Sequence, residues 1–448
     1  MLVVGMARSG MAASQFLFKR GAQVKVSDRR SADLLEREIR ILEPLGISVE
    51  TGEHCLKSFL AATLIIVSPG VPLQIPELQE AKNAGIEVIS ELELAFRFLK
   101  GKIIAITGTN GKTTTTTLVG EILNSTSFPV QVGGNIGTAL TSLVESSTAD
   151  TLTVVEVSSF QLEAAPTFRP DVGVILNVTP DHLDRHGSFQ DYVRSKLNIL
   201  KNQSASDFAV LNLEDPSLSG LERSIRGRVY WFSNRREVDN GTGFNEEQLV
   251  FKRQGRSEVI VPRKDVLLRG SHNLENIAAA VTASRLAGAS ASSINEVIAR
   301  FKGVEHRLEL VAEIEGVQFY NDSKATNVDA AIKALLAFDS GLVLILGGRD
   351  KGGDYTILRP LVRQRVKTVV LMGEASGKIQ SQLEGIVPMQ RVASMQEAVT
   401  TAFKMSQKGD TVLLAPACAS FDMFQNYEDR GHAFKEAVNS LRAVSAGR

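Results

Sequence analysis

Cysteine is nearly missing from this 448-residue chain: only Cys55 and Cys418 occur, far apart and outside any metal-ligand spacing. That excludes a disulfide framework or a cysteine zinc site and fits a reducing compartment, so a cytoplasmic location is expected. Net charge is missing as well. The 50 Lys and Arg residues balance 50 Asp and Glu, so no global field draws the chain to nucleic acid or to an anionic membrane. An anionic ligand must then be held by local groups. No apolar run approaches the ~20 residues of a spanning helix, and the apolar part of the opening MLVVGMARSGM is too short for a signal peptide. The chain opens almost inside a strand, which leaves open a natural start upstream of Met1. Internal repeats and low-complexity linkers are absent too.

What is present is alternation. At roughly 150 residues per domain the length predicts about three domains. From Leu2 to Glu93 short β-branched runs (LVVG, AQVKVSD, TLIIVSPG, GIEVIS) alternate with helical patterns, which predicts a parallel α/β sheet. A second segment opens with KIIAITG and includes TLTVVEVSS, DVGVILNVT and DFAVLNLED; a third carries GLVLILGG, KTVVLMGE and DTVLLAPA. The expected domains are residues 1–93, 94–303 and 304–448.

Two glycine turns carry chemistry. VVGMARSG, with Asp28 about twenty residues on, is similar to a dinucleotide fingerprint, but Ala7 stands where the second glycine belongs and the third is displaced. It suits NAD, a nucleotide diphosphate, or a plain strand-to-helix turn built on Gly5 and Gly10. AITGTNGKTTTTT, residues 105–117, is a stronger signal. Ile106 occupies the place of the first glycine of the usual phosphate loop, yet Gly108, Gly111, Lys112 and Thr113 stand where backbone N–H groups, an ammonium and a magnesium-binding hydroxyl are needed. GGNIGTAL, residues 133–140, either adds backbone donors or is a structural turn.

Polar groups end the next strands. Glu156 in TVVEVSS, and Asp181 and His182 in NVTPDHLDRHG, fall near strand C-termini, which border the ligand crevice in open parallel sheets; a carboxylate there suits magnesium. In GSFQDYVRSKLNILKN, Ser188 and Asp191 read as an N-cap pair, and Phe189, Val193, Leu197 and Leu200 as the buried stripe of a helix. Tyr192 and Lys196 share another face. By spacing alone Lys196 reads as a snorkelling surface side chain.

Taken together, TGTNGKTT, EVSSFQLE, NVTPDHLDRHG, YVRSKLNI, GSHNLENIAAA, EHRLE, NDSKATN and PACASFDMFQNYEDRG resemble the Mur ligases of peptidoglycan assembly, in order and along nearly the whole chain. The resemblance is to the D-glutamate-adding branch of that family. It implies an α/β chain of three domains: a Rossmann-like UDP-sugar domain, a central ATPase domain of phosphate-loop type with a mainly parallel sheet, and a Rossmann-like C-terminal domain for the amino acid. It implies a cytoplasmic monomer that phosphorylates the carboxylate of UDP-N-acetylmuramoyl-L-alanine with ATP and lets the D-glutamate amine displace phosphate. It also places two magnesium ions, one at Thr113 and Glu156 and the other at His182 and a carbamylated Lys196.

By the same resemblance ATP is held by Gly108, Thr109, Asn110, Gly111, Lys112, Thr113, Thr114, Asn273, Asn276, Arg307 and Asp322, with Lys112, His182, Lys196, Arg307 and Lys324 acting in catalysis. The UDP substrate falls to Arg8, Ser9, Asp28, Arg29, Arg30, Gly70, Asn135, Gln161 and His182, and D-glutamate to Thr326, Lys351, Ser420, Phe421 and Tyr427. Arg8 departs from the pattern, being a cation where a small or apolar residue is expected. Three rivals fall short. An NAD-dependent oxidoreductase or sensor would leave the phosphate loop and Lys196 unexplained. Folylpolyglutamate synthases lack a separate UDP-binding first domain. Diaminopimelate-adding ligases would carry an Asp-Asn-Pro-Arg stretch, absent here.

Overall fold

The computed structural model describes residues 1–446 except 182 and 269. Three α/β domains are each built on one sheet. In the first, β1 (Leu2–Val4), β2 (Lys25–Asp28), β3 (Ser48–Thr51), β4 (Leu64–Val67) and β5 (Glu87–Ser90) lie in the order β3-β2-β1-β4-β5. All of its pairings are parallel. Alternation along β1 covers both faces: Leu2 and Val4 pack with Phe59 and Ile65, while Val3 packs with Phe16 and Leu17 on the other side. Each such buried aliphatic side chain is worth about 1.5–3 kcal/mol.

The second sheet contains β6 (Lys102–Thr107), β7 (Val130–Gly134), β8 (Leu152–Glu156), β9 (Val172–Ile175), β10 (Phe208–Asn212), β11 (Arg228–Ser233), β12 (Gly241–Phe244), β13 (Gln248–Arg253) and β14 (Arg256–Pro262). Their order is β14-β13-β12-β11-β10-β9-β6-β8-β7. Only the β12-β13 and β13-β14 pairings are antiparallel. The third sheet runs β15-β16-β20-β17-β18-β19. Its strands are β15 (Glu309–Ile314), β16 (Val317–Asn321), β17 (Leu342–Gly347), β18 (Val366–Met372), β19 (Met389–Arg391) and β20 (Thr411–Leu414), antiparallel only between β15 and β16.

Contacts group the chain into two compact units, Met1–Val266 with His272–Arg300, and Leu267–Ser271 with Phe301–Arg448. The first unit holds two of the three sheets. Among the described residues no helix is long and apolar enough to cross a membrane.

The strands expected from long apolar runs are present, but β3, β7, β11 to β16 and β19 go beyond them. Some of these are short and carry no continuous apolar run, such as SVET and GTGF; others, such as RVYWFS and RSEVIVP, have apolar runs of three or four residues preceded by a charged residue. A second correction concerns the helix Phe189–Leu197. Ser188 does cap it, its side chain accepting from the Asp191 N–H. Its fully buried residues, however, are Tyr192, Ser195 and Lys196, while Phe189, Val193 and Leu197 are only half-buried.

Candidate functional site

In a doubly wound sheet the crevice opens beyond the strand C-termini where the strand order reverses. In the first sheet that point lies between β1 and β4, and a cavity of about 460 Å³ opens there. Arg8, Ser9, Asp28, Arg29, Arg30, Gly70, Asn135 and Gln161 all line it. The turn after β1 feeds the helix Arg8–Lys19, and Gly10 lets that helix close on the strand: a Cβ there would stand 1.8 Å from the Gly5 carbonyl oxygen. Asp28 accepts from the Met6 N–H at 2.7 Å and from Arg30 through Nε at 3.1 Å and Nη2 at 2.8 Å. Burial alone would push its carboxyl up, but Arg30 and the two backbone donors hold it below the usual range. Asp28 is therefore an anion with acceptor capacity at the cavity wall.

Arg8, the residue that breaks the sequence pattern, donates from Nη2 to the Asn135 carbonyl at 3.0 Å. The Asn135 side chain in turn donates to Glu156 Oε1 at 2.8 Å. Glu156 ends β8, is 1% exposed, and leaves Oε2 buried without a hydrogen-bond partner. An orphaned carboxylate oxygen in such a place costs free energy unless a cation takes it, so Glu156 fits a magnesium ligand. His54 and Ser68 also line the cavity and were not anticipated. His54 bonds Ser27 Oγ through Nδ1 at 2.8 Å, and burial lowers its pKa, so it is neutral at neutral pH. The only sequence signal for Ser68 is its place directly after the apolar run of β4.

The phosphate loop follows β6, the strand between β8 and β9. Asn177, after β9, holds the loop open: its backbone carbonyl accepts from the Thr109 N–H at 2.9 Å and its Oδ1 from the Asn110 N–H at 2.9 Å. Gly111 has φ +83°, and a Cβ there would meet Asn276 Oδ1 at 2.1 Å. Asn276, buried on the helix Ser271–Ala287, thus stands against the loop, and it is hydrogen-bonded to buried Asn273 one turn earlier. Lys112 and Thr113 open the helix Lys112–Asn124, and Thr114 is buried in its first turn.

Lys112 Nζ donates to the carbonyls of Gly108 and Thr109, each at 2.9 Å. Lys196 Nζ reaches the same Gly108 oxygen at 2.8 Å and lies 4.5 Å from the Tyr192 ring centroid. Only 2% of Lys196 is exposed, which overturns the snorkelling reading. Burial first, and then repulsion from Lys112, drive its pKa far below that of a free lysine, against the pull of Asp181. That environment favours the uncharged amine over the ammonium. His182 lies outside the described residues.

The remaining candidates belong to the second unit. Asp322 follows β16, accepts from the Leu308 N–H at 3.3 Å, and is raised to about 7 by burial, although Arg307 favours its anion. Lys324 stacks on Tyr427, its Nζ 3.6 Å from the ring centroid, so Tyr427 faces a cation. Lys351 is exposed in the loop after β17, and Thr326 is half-buried. Ser420 is buried after β20, beside Phe421, which is 59% exposed. The β17 and β20 loops are tied where Arg349 and Ala419 exchange backbone hydrogen bonds of 2.9 and 3.1 Å.

Similarity to known proteins accords with this arrangement. Residues 1–90 match the model of the Mur ligase MurD-like N-terminal domain, 106–284 the Mur ligase middle domain, and 306–418 the Mur ligase glutamate ligase domain. A relative from Acidobacterium capsulatum named "UDP-N-acetylmuramoylalanine--D-glutamate ligase" is 51% identical over 447 residues, covering 99% of this chain and 97% of its own. One of the same name from Koribacter versatilis is 48% identical over 440 residues, covering 98% and 97%. Among solved structures, the UDP-N-acetylmuramate-alanine ligase of Thermotoga maritima superposes with a TM-score of 0.60 at 19% identity, covering 98% of this chain and 99% of that one. A D-alanyl-D-alanyl-adding ligase from Acinetobacter baumannii gives 0.61 at 15%, covering 98% and 93%. Identities this low speak to the fold alone. With three domain models matched in order and relatives about half identical along almost its whole length, the chain belongs to the Mur ligase family.

Proposed function

We propose that this chain joins D-glutamate to UDP-N-acetylmuramoyl-L-alanine at the expense of ATP, forming ADP and phosphate in peptidoglycan precursor synthesis. The near-full-length likeness to ligases of that name carries the reading. The family reaction is ATP-dependent ligation, and the loop after β6 has the form of its phosphate cradle. We assign the three domains the bounds 1–93, 94–303 and 304–448, and a cytoplasmic monomer is the working form.

A free carboxylate resists attack by an amine because its charge and resonance lower its electrophilicity. Phosphorylation supplies the leaving group. The L-alanine carboxylate attacks the γ-phosphorus of ATP, the bond to ADP breaks, and an acyl phosphate results. The neutral D-glutamate amine then attacks the acyl carbon and gives up a proton, and the tetrahedral intermediate expels phosphate. Negative charge builds on oxygen in both steps, so fixed donors and cations dominate catalysis. The backbone from Gly108 to Thr114 and the Lys112 ammonium cradle the phosphates, Asn273 and Asn276 support the nucleotide, and Arg307, Asp322 and Lys324 serve the transferring group. The cavity beside β1 takes the UDP moiety through Arg8, Ser9, Asp28, Arg29, Arg30, Gly70, Asn135, Gln161 and His182. Lys351, Thr326, Ser420, Phe421 and Tyr427 take D-glutamate.

Magnesium, when bound, supplies Lewis-acid stabilisation of the phosphoryl oxygens. Thr113 and Glu156 would hold one ion; His182 and a carbamylated Lys196 would hold a second. An uncharged amine is the form that adds carbon dioxide; the new N–C bond forms, a proton leaves, and the resulting carbamate is the anion a metal site needs. Phosphate release with UDP-N-acetylmuramoyl-L-alanine and each candidate amino acid tests the reading. D-Glutamate should far exceed L-glutamate and meso-diaminopimelate, and a preference for either of those would overturn it.

A further inference from the structure

We propose that the Tyr355 hydroxyl is a positioning group for the amino-acid pocket, tying the loop that carries Lys351 to the segment that carries Ser420. This deepens the reading above and rests on its assignment of those two residues to D-glutamate.

Tyr355 is fully buried, packed with Leu358, Ala417 and Cys418. A phenylalanine would fill the same space, and burying a hydroxyl costs free energy unless it is bonded. Packing therefore does not account for the oxygen. Its contacts do: Tyr355 Oη lies 2.9 Å from Asp350 Oδ1 and 3.0 Å from Cys418 Sγ. Lys378, donating to Asp350 Oδ2 at 2.7 Å, leads the interactions that hold the Asp350 carboxyl below its usual range. An ionised carboxylate only accepts, so the one phenolic proton goes to Asp350 and the Cys418 thiol donates to the phenol oxygen. The chain of bonds thus runs Cys418, Tyr355, Asp350.

Asp350 Oδ1 also accepts from the Gly352 and Gly353 N–H groups, both at 3.1 Å. Lys351 therefore sits in a turn whose two sides close on one carboxylate. Together with the Arg349–Ala419 backbone pair, the phenol gives a second tie between the segments 349–351 and 418–420. A ligand carboxylate shared by an exposed ammonium and a buried serine needs the two at a fixed separation. Loosening one tie spends binding free energy on reordering the site.

The experiment is steady-state kinetics of Tyr355→Phe in the full chain, with Lys351→Ala alongside and all three substrates varied. Loss of a charge-assisted bond predicts a D-glutamate KM raised about tenfold. The kcat at saturating D-glutamate and the KM values for ATP and the UDP substrate should stay within about twofold. Lys378→Met, which alters the same carboxylate from the half-exposed side, should raise the D-glutamate KM in the same direction and keeps the test alive if the phenylalanine variant folds poorly. Should Lys351→Ala raise the D-glutamate KM while Tyr355→Phe and Lys378→Met leave it unchanged, the tie has no positioning role. Equal shifts in all three KM values would also overturn it, as general loosening. If Lys351→Ala itself leaves the D-glutamate KM unchanged, the pocket assignment fails and this inference fails with it.

Discussion

The side-chain nitrogens of Lys112 and Lys196 converge on one acceptor, the Gly108 carbonyl oxygen, at 2.9 and 2.8 Å. Burial first, and then repulsion from the Lys112 ammonium, disfavour the protonated form of Lys196 and lower its pKa well below that of a free lysine. In the unfolded chain the same lysine titrates near ~10.4. Between the lowered native pKa and that value the unfolded state binds more proton than the native state, so this group costs stability there, and the cost fades as pH rises toward the unfolded value. In buffer freed of carbon dioxide, Lys196→Met should therefore be more stable than the parent at about pH 7, with a gain that shrinks toward about pH 10. Urea unfolding across that range checks it; a gain that does not change with pH would contradict the neutral amine. The same variant should lose nearly all ligase activity. With ¹³C-bicarbonate the parent, unlike the variant, should show a carbamate carbon by NMR.

Asp322 gives the opposite sign. Its carboxyl, raised to about 7 by burial, keeps in the native state a proton that the unfolded chain releases near ~3.9. Stability from this group falls as pH climbs through that interval. Asp322→Asn removes the effect, so its stability relative to the parent should improve from about pH 4 to about pH 7 and then level off. A flat difference would show that the carboxyl titrates normally.

How far the sequence reveals this site depends on what kind of signal each residue leaves. The phosphate loop is legible because glycine, lysine and threonine at fixed spacing have few other uses, and the strand before it is a continuous apolar run. Lys196 is not legible by spacing, since a lysine on a half-apolar helix reads the same whether it snorkels or is buried; its burial arises from packing against the loop 88 residues earlier. Only the family resemblance pointed to it. His54 leaves no signal, because the cavity is assembled from turns after separate strands. The strand β12 escapes because GTGF carries little apolar alternation.

Arg8, a cation where a small or apolar residue is expected from the family resemblance, offers a further test. It lines the cavity and holds the Asn135 carbonyl, so Arg8→Leu removes a charged donor from the cavity proposed for the UDP moiety. A tenfold or greater rise in the KM for the UDP substrate is expected, from about 1.5–3 kcal/mol for a charged hydrogen bond. The D-glutamate KM should barely move. An unchanged UDP-substrate KM would show Arg8 to be a surface contact only.

Lys351 is the cation assigned to the D-glutamate carboxylate. Lys351→Ala should cost roughly 2–5 kcal/mol of binding, expressed in the D-glutamate KM and not in ATP affinity. Steady-state kinetics with each substrate varied in turn separates these outcomes.

The central claim is that phosphate passes from ATP to the substrate carboxylate before the amide forms. UDP-N-acetylmuramoyl-L-alanine labelled with ¹⁸O in its carboxylate, turned over with ATP and D-glutamate, measures this directly. The account predicts one ¹⁸O in each phosphate released, and no transfer in Lys112→Ala, which lacks the ammonium at the phosphate loop. Phosphate released without ¹⁸O while the amide accumulates would contradict it.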